Sequence, residues 1–293
     1  MIIFHHNDAD GRCSAAIAKW WFDLEVMNGN KQALVESKTS PVRFVEMDYK
    51  NRVPVELVKP EDTVVIVDFS FKPEDMAAIQ AATNIGVIWC DHHITAKDYG
   101  YEVPGYRDFN NKGLAGCECT WKFFFPNANI PNWIRTLGDY DAWRMQEKDL
   151  CLPFYEGLKL EDQSQGDNSI WYQLLTELTD VTFYYVMDRG RAAIRYRDNY
   201  CTELCKSYGY ETSIGGYPAY ALNVSRFGSQ AFGDKFTEYP ICIAYIYDGR
   251  VFTVSLYSET IDVSTIAKIY GGGGHKGASG FNCKQLPFEP NKS

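Results

Sequence analysis

Val87-Ile88-Trp89-Cys90-Asp91-His92-His93 is an apolar run that ends abruptly in three polar, titratable side chains. Four such residues in succession fit a strand buried on both faces, as in a parallel sheet. Two other stretches of the first hundred residues have the same form. Ile2-Ile3-Phe4 runs into His5-His6-Asn7-Asp8-Ala9-Asp10-Gly11, and Val64-Val65-Ile66-Val67 ends at Asp68. Val42 to Met47 reads as a further strand. Between the strands lie helix candidates. Gly11 to Leu24 offers Ala15, Ala16, Ala18 and Trp20 for packing, and Pro73 to Ala82 carries proline in its first turn. The alternation predicts an α/β domain built on a parallel sheet, with helices on both faces.

In open parallel sheets, ligands gather outside the carboxyl ends of the strands. Neighbouring strands would therefore aim these carboxylates and imidazoles into one crevice. Clustered carboxylates repel one another, and divalent cations turn that repulsion into attraction. Mixed imidazole and carboxylate ligation suits Mn²⁺ better than Ca²⁺ or Mg²⁺, which prefer all-oxygen shells. The five histidines also cluster in three places, at His5 and His6, His92 and His93, and His275.

Further along, helices are expected at Cys117 to Phe125 and Pro131 to Leu137. Leu158 to Asn168 is polar, lacks periodicity and reads as a loop. A long helical stretch, Thr182 to Ser207, leads into strands at Tyr217 to Asn223, Pro240 to Tyr247 and Arg250 to Tyr257, then a helix at Asp262 to Ile269. The expected organisation is a first domain over 1–180, a connecting helix over 181–206, and a smaller α+β domain over 207–293, across a cleft from the first. Near the end, Gly271-Gly272-Gly273-Gly274-His275-Lys276-Gly277-Ala278-Ser279-Gly280 stands out. Successive glycines permit a backbone nest that cradles an anion, and His275 and Lys276 add charge or hydrogen bonds.

Composition narrows the partners. The chain of 293 residues carries a net charge of −9 and has no Lys/Arg run, which disfavours long nucleic acid held through many phosphates. A long duplex is thus not an expected partner. No stretch approaches the roughly 18–20 apolar residues that span a bilayer, and the opening lacks the form of a signal peptide. Neither a membrane partner nor export is expected. The nine cysteines form no Cys-x-x-Cys pair. They read as reduced thiols of a cytoplasmic protein. Aromatic residues near the motifs (Trp143, Tyr140, Phe227 and Tyr257) suit unpaired bases.

His6-Asn7-Asp8-Ala9-Asp10-Gly11, Asp68, Asp91-His92-His93 and an Asp within Leu137-Gly138-Asp139-Tyr140-Asp141 resemble, in order, the four metal motifs of the DHH phosphoesterase superfamily. The glycine-rich stretch resembles the signature of the DHH-associated substrate domain. The compact opening is similar to that of the nanoRNase B branch, which degrades very short oligonucleotides. The resemblance implies a two-metal phosphodiesterase. His6, Asp8 and Asp68 would hold one Mn²⁺ and Asp10, Asp68, His92 and Asp139 the other, with Mg²⁺ as an alternative ion. Asp139 is preferred to Asp141 because it directly follows Leu137-Gly138. Asp91 would orient the cluster and His93 would face the scissile phosphate. His275, Gly273, Gly274, Lys276 and Ser279 would bind the substrate. Relatives with Val-Ser-x-Arg-Ser have an arginine where this chain has Tyr257, so Arg226 or Lys276 would supply that charge. The implied partner is short single-stranded RNA or a nucleotide, cleaved to nucleoside monophosphates; a homodimer is compatible with this. Hydrolysis of cyclic dinucleotides or of 3′-phosphoadenosine phosphate, and single-strand DNA exonuclease activity, are the alternatives.

Overall fold

The computed structural model describes residues 1–39, 41–177 and 179–291, which divide into two compact units, Met1–Ala192 and Ala193–Ser293. The first contains a four-stranded sheet of β1 (Ile2–His6), β2 (Arg43–Met47), β3 (Thr63–Val67) and β4 (Gly86–Cys90). Its order is β2-β1-β3-β4 and every pairing is parallel. Parallel strands require crossovers. Those between β1 and β2 and between β3 and β4 are helical: α1 (Ala9–Met27) with α2 (Lys31–Thr39), and α3 (Pro73–Ala82).

Side chains alternate across each strand, and both faces are apolar. Ile2, Phe4, Val64 and Ile66 pack with Met76 and Ile79 of α3 on one face. Ile3, Val65 and Val67 meet Ala15, Ala18 and Phe22 of α1 on the other, joined there by Cys119 and Phe124 of α4 (Gly116–Phe124). Fully burying each large side chain stabilises by roughly 1.5–3 kcal/mol. This explains why the strand runs are continuously apolar rather than alternating.

A helical layer follows: α5 (Asn132–Asp141), α6 (Lys148–Leu158), α7 (Ile170–Thr176) and the start of α8 (Val181–Tyr208). It buries Ile134, Leu137, Phe154, Trp171 and Phe183 against α1 and α4. Three of these helices depart from the sequence expectation. The short α6 contains Pro153, α7 has only seven residues, and α5 runs four residues past the expected end.

The second unit holds a mixed six-stranded sheet of β5 (Tyr210–Ile214), β6 (Tyr217–Asn223), β7 (Ile241–Tyr247), β8 (Phe252–Tyr257), β9 (Gly273–His275) and β10 (Ala278–Cys283). The order is β5-β6-β7-β8-β10-β9, and β6–β7 is the parallel pair. Here α9 (Lys235–Glu238) is one turn, while α10 (Val263–Ile269) covers one face through Val263 and Ile266. Cys201 and Cys205 of α8 pack on the other face. Eight of the nine cysteines are buried, and all are free thiols. No helix among the described residues is long and apolar enough to cross a membrane.

Candidate metal centre

Strands β1, β3 and β4 deliver His6, Asp68 and Asp91 to the same end of the sheet. Asp68 leaves β3 with φ of 50°, a left-handed conformation that costs a side chain on the order of 1–2 kcal/mol. Its N–H donates to the Cys90 carbonyl at 2.9 Å, which ties the ends of β3 and β4 together. Asp8 caps α1, with Oδ1 accepting the Gly11 N–H at 2.9 Å. Asp10, two residues on in the first turn of α1, receives the Gly116 and Cys117 N–H groups at 2.7 and 2.9 Å. These are among the otherwise unpaired donors that open α4.

Around Asp68 the ligand-type atoms converge. His92 Nε2 lies 3.2 Å from Asp68 Oδ1, 3.3 Å from Asp141 Oδ2 and 3.8 Å from Asp10 Oδ2. His6 Nδ1 lies 3.9 Å from Asp68 Oδ2 and 2.6 Å from Asp8 Oδ2; the second contact is short but not aligned as a hydrogen bond. Three overlapping triads result: His6, Asp8 and Asp68; Asp68, His92 and His93; and Asp10, His92 and Asp141. Asp68 and His92 each belong to two.

Both Asp68 oxygens are buried and accept no hydrogen bond. Burial, followed by the nearby Asp10, Asp8, Asp141 and Asp91, pushes the Asp68 carboxyl well above the usual range. Asp141 is pushed up in the same way, by burial and then by Asp10 and Asp8. A buried carboxylate without donors is costly. Divalent cations fit this donor set: they would satisfy the unpartnered oxygens, cancel the repulsion and use the imidazoles as ligands.

Asp91 has a different task. Its oxygens accept the Ser70 hydroxyl, the His92 N–H at 2.8 Å, the His93 N–H at 3.3 Å and His93 Nδ1 at 2.8 Å. Burial works against its charge, but the His93 contacts win and hold it below the ordinary carboxylate range. Its acceptors are committed to shaping the Asp-His-His turn.

The expectation for Asp139 needs correcting. Its carboxylate turns away from the triads and accepts the Gln146 and Glu147 N–H groups at 3.1 and 2.9 Å, with Arg144 Nε 3.6 Å away. Asp141, not Asp139, joins Asp10 and His92 in a group that could hold a metal ion. The reason is that α5 continues through both residues; two positions apart on a helix differ by about 200° of rotation, so only one can face the cluster.

Three supporting residues were not singled out from sequence. A Cβ on Gly116 would stand 2.5 Å from both Cβ and Oδ1 of Asp68, so only glycine lets α4 approach that closely. Ser70 holds Asp91. Tyr49 stacks on Phe69 at 4.6 Å, with ring centroids 5.7 Å from His6 and 5.8 Å from His93. Applying the strand-end rule to β2 would have reached Tyr49, two residues beyond Met47.

In the second unit, Gly273, Gly274 and His275 form β9, the exposed edge strand of a hairpin with β10, rather than the free anion nest expected. Gly272 is required by close approach, since a Cβ there would lie 2.1 Å from the Gly280 carbonyl. The Ser279 hydroxyl donates to the His275 carbonyl at 2.7 Å, and the Lys276 carbonyl accepts the Val263 N–H. Arg226 is not brought to this hairpin. Register places it beyond the end of β6 where Asn223 pairs with Tyr245, whereas the His275–Ala278 turn lies at the end marked by Tyr257 and Cys242. Tyr257 stands opposite Ala278 at that end.

Residues 1–138 match the model of the DHH family, N-terminal domain. The chain is 26% identical to an uncharacterized protein, R106, of Acanthamoeba polyphaga mimivirus, over 77% of this chain; it spans only 55% of that protein's length. It is 22% identical to the oligoribonuclease NrnB of Bacillus subtilis (strain 168), over 98% of this chain and 74% of that one. In fold it is similar to PggH of Vibrio cholerae, a pGpG-specific phosphodiesterase, with a TM-score of 0.51 at 11% identity, covering 97% and 93% of the two chains. The matched residues 1–138 are those that carry the His6, Asp68 and Asp91-His92-His93 motifs, so this part of the chain is similar to the N-terminal domain of the DHH family.

Proposed function

We propose that the chain hydrolyses phosphodiester bonds of short oligoribonucleotides, releasing nucleoside monophosphates, with two manganese ions in its N-terminal unit. One observation carries this reading: overlapping ligand triads share the Asp68 carboxylate, whose two buried oxygens have no hydrogen-bond donor. His6, Asp8 and Asp68 would hold one ion; Asp10, Asp68, His92 and Asp141 would hold the other. Such ions would polarise the phosphoryl group and make water a competent nucleophile at neutral pH.

The remaining work falls to the chain's own side chains. Asp10 is fixed by the α4 N–H groups and so cannot swing as substrate arrives. Asp91 grips His93 Nδ1, which leaves Nε2 as the ring nitrogen for the scissile phosphate. His275, Lys276 and the outer edge of β9 are the groups for the substrate's far end. Gly273 and Gly274 there leave backbone N–H groups unobstructed by side chains.

The net charge of −9 favours substrates with few phosphates. The names of two similar proteins, an oligoribonuclease and a pGpG-specific phosphodiesterase, agree with a short substrate. Free, buried thiols agree with the cytoplasm as the place of action. The test is an end-labelled RNA ladder, from dinucleotides to twenty-four-mers, incubated with purified protein and Mn²⁺. Dinucleotides to pentanucleotides should disappear fastest, with monophosphates as product. No monophosphate from any length, or undiminished cleavage of the longest, would sink this reading.

A further inference from the structure

Trp143 is 63% exposed and adopts φ of 52°. For a bulky aromatic residue that conformation is a genuine outlier. Burial does not offset it, and the indole meets the edge of Tyr140, with centroids 5.8 Å apart. The strain is imposed from nearby. The Asp139 carboxylate and carbonyl together receive the N–H groups of residues 144 to 147, which pins the turn after α5. Met145 is left-handed as well, with φ of 52°. The turn thus presents an indole to solvent two residues beyond Asp141, a member of the Asp10–His92–Asp141 triad.

A second ring stands beside His6 and His93. Tyr49 is 52% exposed, lies face to face with Phe69, and sits within 6 Å of both His6 and His93 by ring centroid. The Phe69 stack beneath it holds the ring in place. One exposed aromatic ring thus follows Asp141 in sequence, on a pinned turn, and another stands within 6 Å of His6 and His93.

We propose that Trp143 and Tyr49 are the stacking platforms for the two nucleobases that flank the scissile phosphate. This deepens the phosphodiesterase reading and rests on it: each ring would hold one unpaired base while the phosphate between them lies over the metal centre. Every base has a π-face, so the platforms select single-stranded nucleotides without selecting sequence. They also place both base contacts of a dinucleotide within the N-terminal unit. Strain at Trp143 is then the cost of a ring held ready before substrate arrives.

Base stacking on a single aromatic side chain contributes enough that truncation to alanine weakens binding about 5- to 150-fold. Trp143→Ala and Tyr49→Ala should each raise KM for a dinucleotide by a factor in that range, with kcat changed much less. Trp143→Phe and Tyr49→Phe should keep most of the affinity. On a dinucleotide made abasic at one position, the alanine variant facing the missing base should behave like the parent. Trp143→Gly should melt at or above the parent temperature, because glycine relieves the strain; a clear drop would mean that the indole is structural. Equal losses on intact and abasic substrates, or no loss on either, would overturn the proposal. An arm without catalysis separates it from the phosphodiesterase reading. In metal-free protein, adenosine should shift the NMR resonances of the Trp143 indole and the Tyr49 ring, while ribose should not. If adenosine moves neither, the platforms fail whatever the hydrolysis result. If it moves both while no RNA is cleaved, the platforms stand and the assigned reaction fails.

Discussion

Replacing Asp68 by Asn should stabilise the metal-free protein and destabilise it relative to the parent once metal is present. In the parent, both Asp68 oxygens are buried without donors, and Asp10, Asp8, Asp141 and Asp91 surround them with like charge. An uncompensated buried charge costs several kcal/mol in a real protein. Taking about 3 kcal/mol as the part relieved by a neutral amide of the same shape, the metal-free unit should melt roughly 6–12 °C higher at 2–4 °C per kcal/mol. The sign with pH follows from the raised carboxyl. Stability is fully present below the unfolded pKa and is lost as pH rises through the higher folded value, so metal-free parent should weaken with pH while Asp68→Asn changes less. Manganese should reverse the ranking. At a hundred times its Kd, an ion bound only to the native state adds about 2.7 kcal/mol, and the amide should forfeit most of that gain along with the hydrolytic activity. Calorimetric melts of both proteins, stripped and Mn²⁺-loaded, decide the matter. A stripped Asp68→Asn that melts below the stripped parent, or one that keeps the full Mn²⁺ increment, would refute the reasoning.

Three further expectations test other parts of the site. Asp141→Asn should reduce Mn²⁺ content and activity by more than tenfold, whereas Asp139→Asn should lower the melting temperature by unpinning the 144–147 turn yet retain metal; the opposite pattern in metal analysis would restore Asp139 as the ligand. Activity should be greater in Mn²⁺ than in Mg²⁺ because imidazole ligands favour the softer ion, and full activity of His92→Ala in Mg²⁺ would contradict that ligand. His275→Ala should impair dinucleotide turnover, leave metal content unchanged, and affect a small chromogenic phosphodiester much less, since remote binding energy orients the reacting centre. Equal losses on the two substrates would place His275 at the metals or in folding.

The parallel sheet was readable because strands buried on two faces must be written as unbroken apolar runs, and their carboxyl ends are where polar residues become informative. Ile2 to His6 and Pro73 to Ala82 coincide with β1 and α3. What local pattern could not supply was rotation and tertiary strain. Choosing Asp139 over Asp141 turned on which face of α5 meets His92, and α5 extends past the point where its apolar signal fades. Gly116 is one of 23 glycines, and its role depends on a neighbour 48 residues earlier in the chain. The glycine-rich signature was visible, but its conformation depends on pairing with β10, so a strand prevailed over a nest. Arg226 was selected for charge alone, and charge carries no information about which end of a sheet a residue occupies.

The ligand triads draw on positions from His6 to Asp141, and β1, which is made first, lies between β2 and β3. A growing polypeptide therefore cannot close this centre until Asp141 has emerged from the ribosome. Its first strand must wait for partners on both sides. Non-local closure of this kind is slow. In the interval, Asp8, Asp10, Asp68 and Asp91 are not yet forced together, so their mutual repulsion is not an obstacle to the early chain. The electrostatic conflict arises as β1, β3 and β4 pair, and the approach of α5 adds Asp141 to it. Metal capture at that moment would act as a latch on a completed domain, making cation supply a determinant of how often synthesis ends in a native molecule.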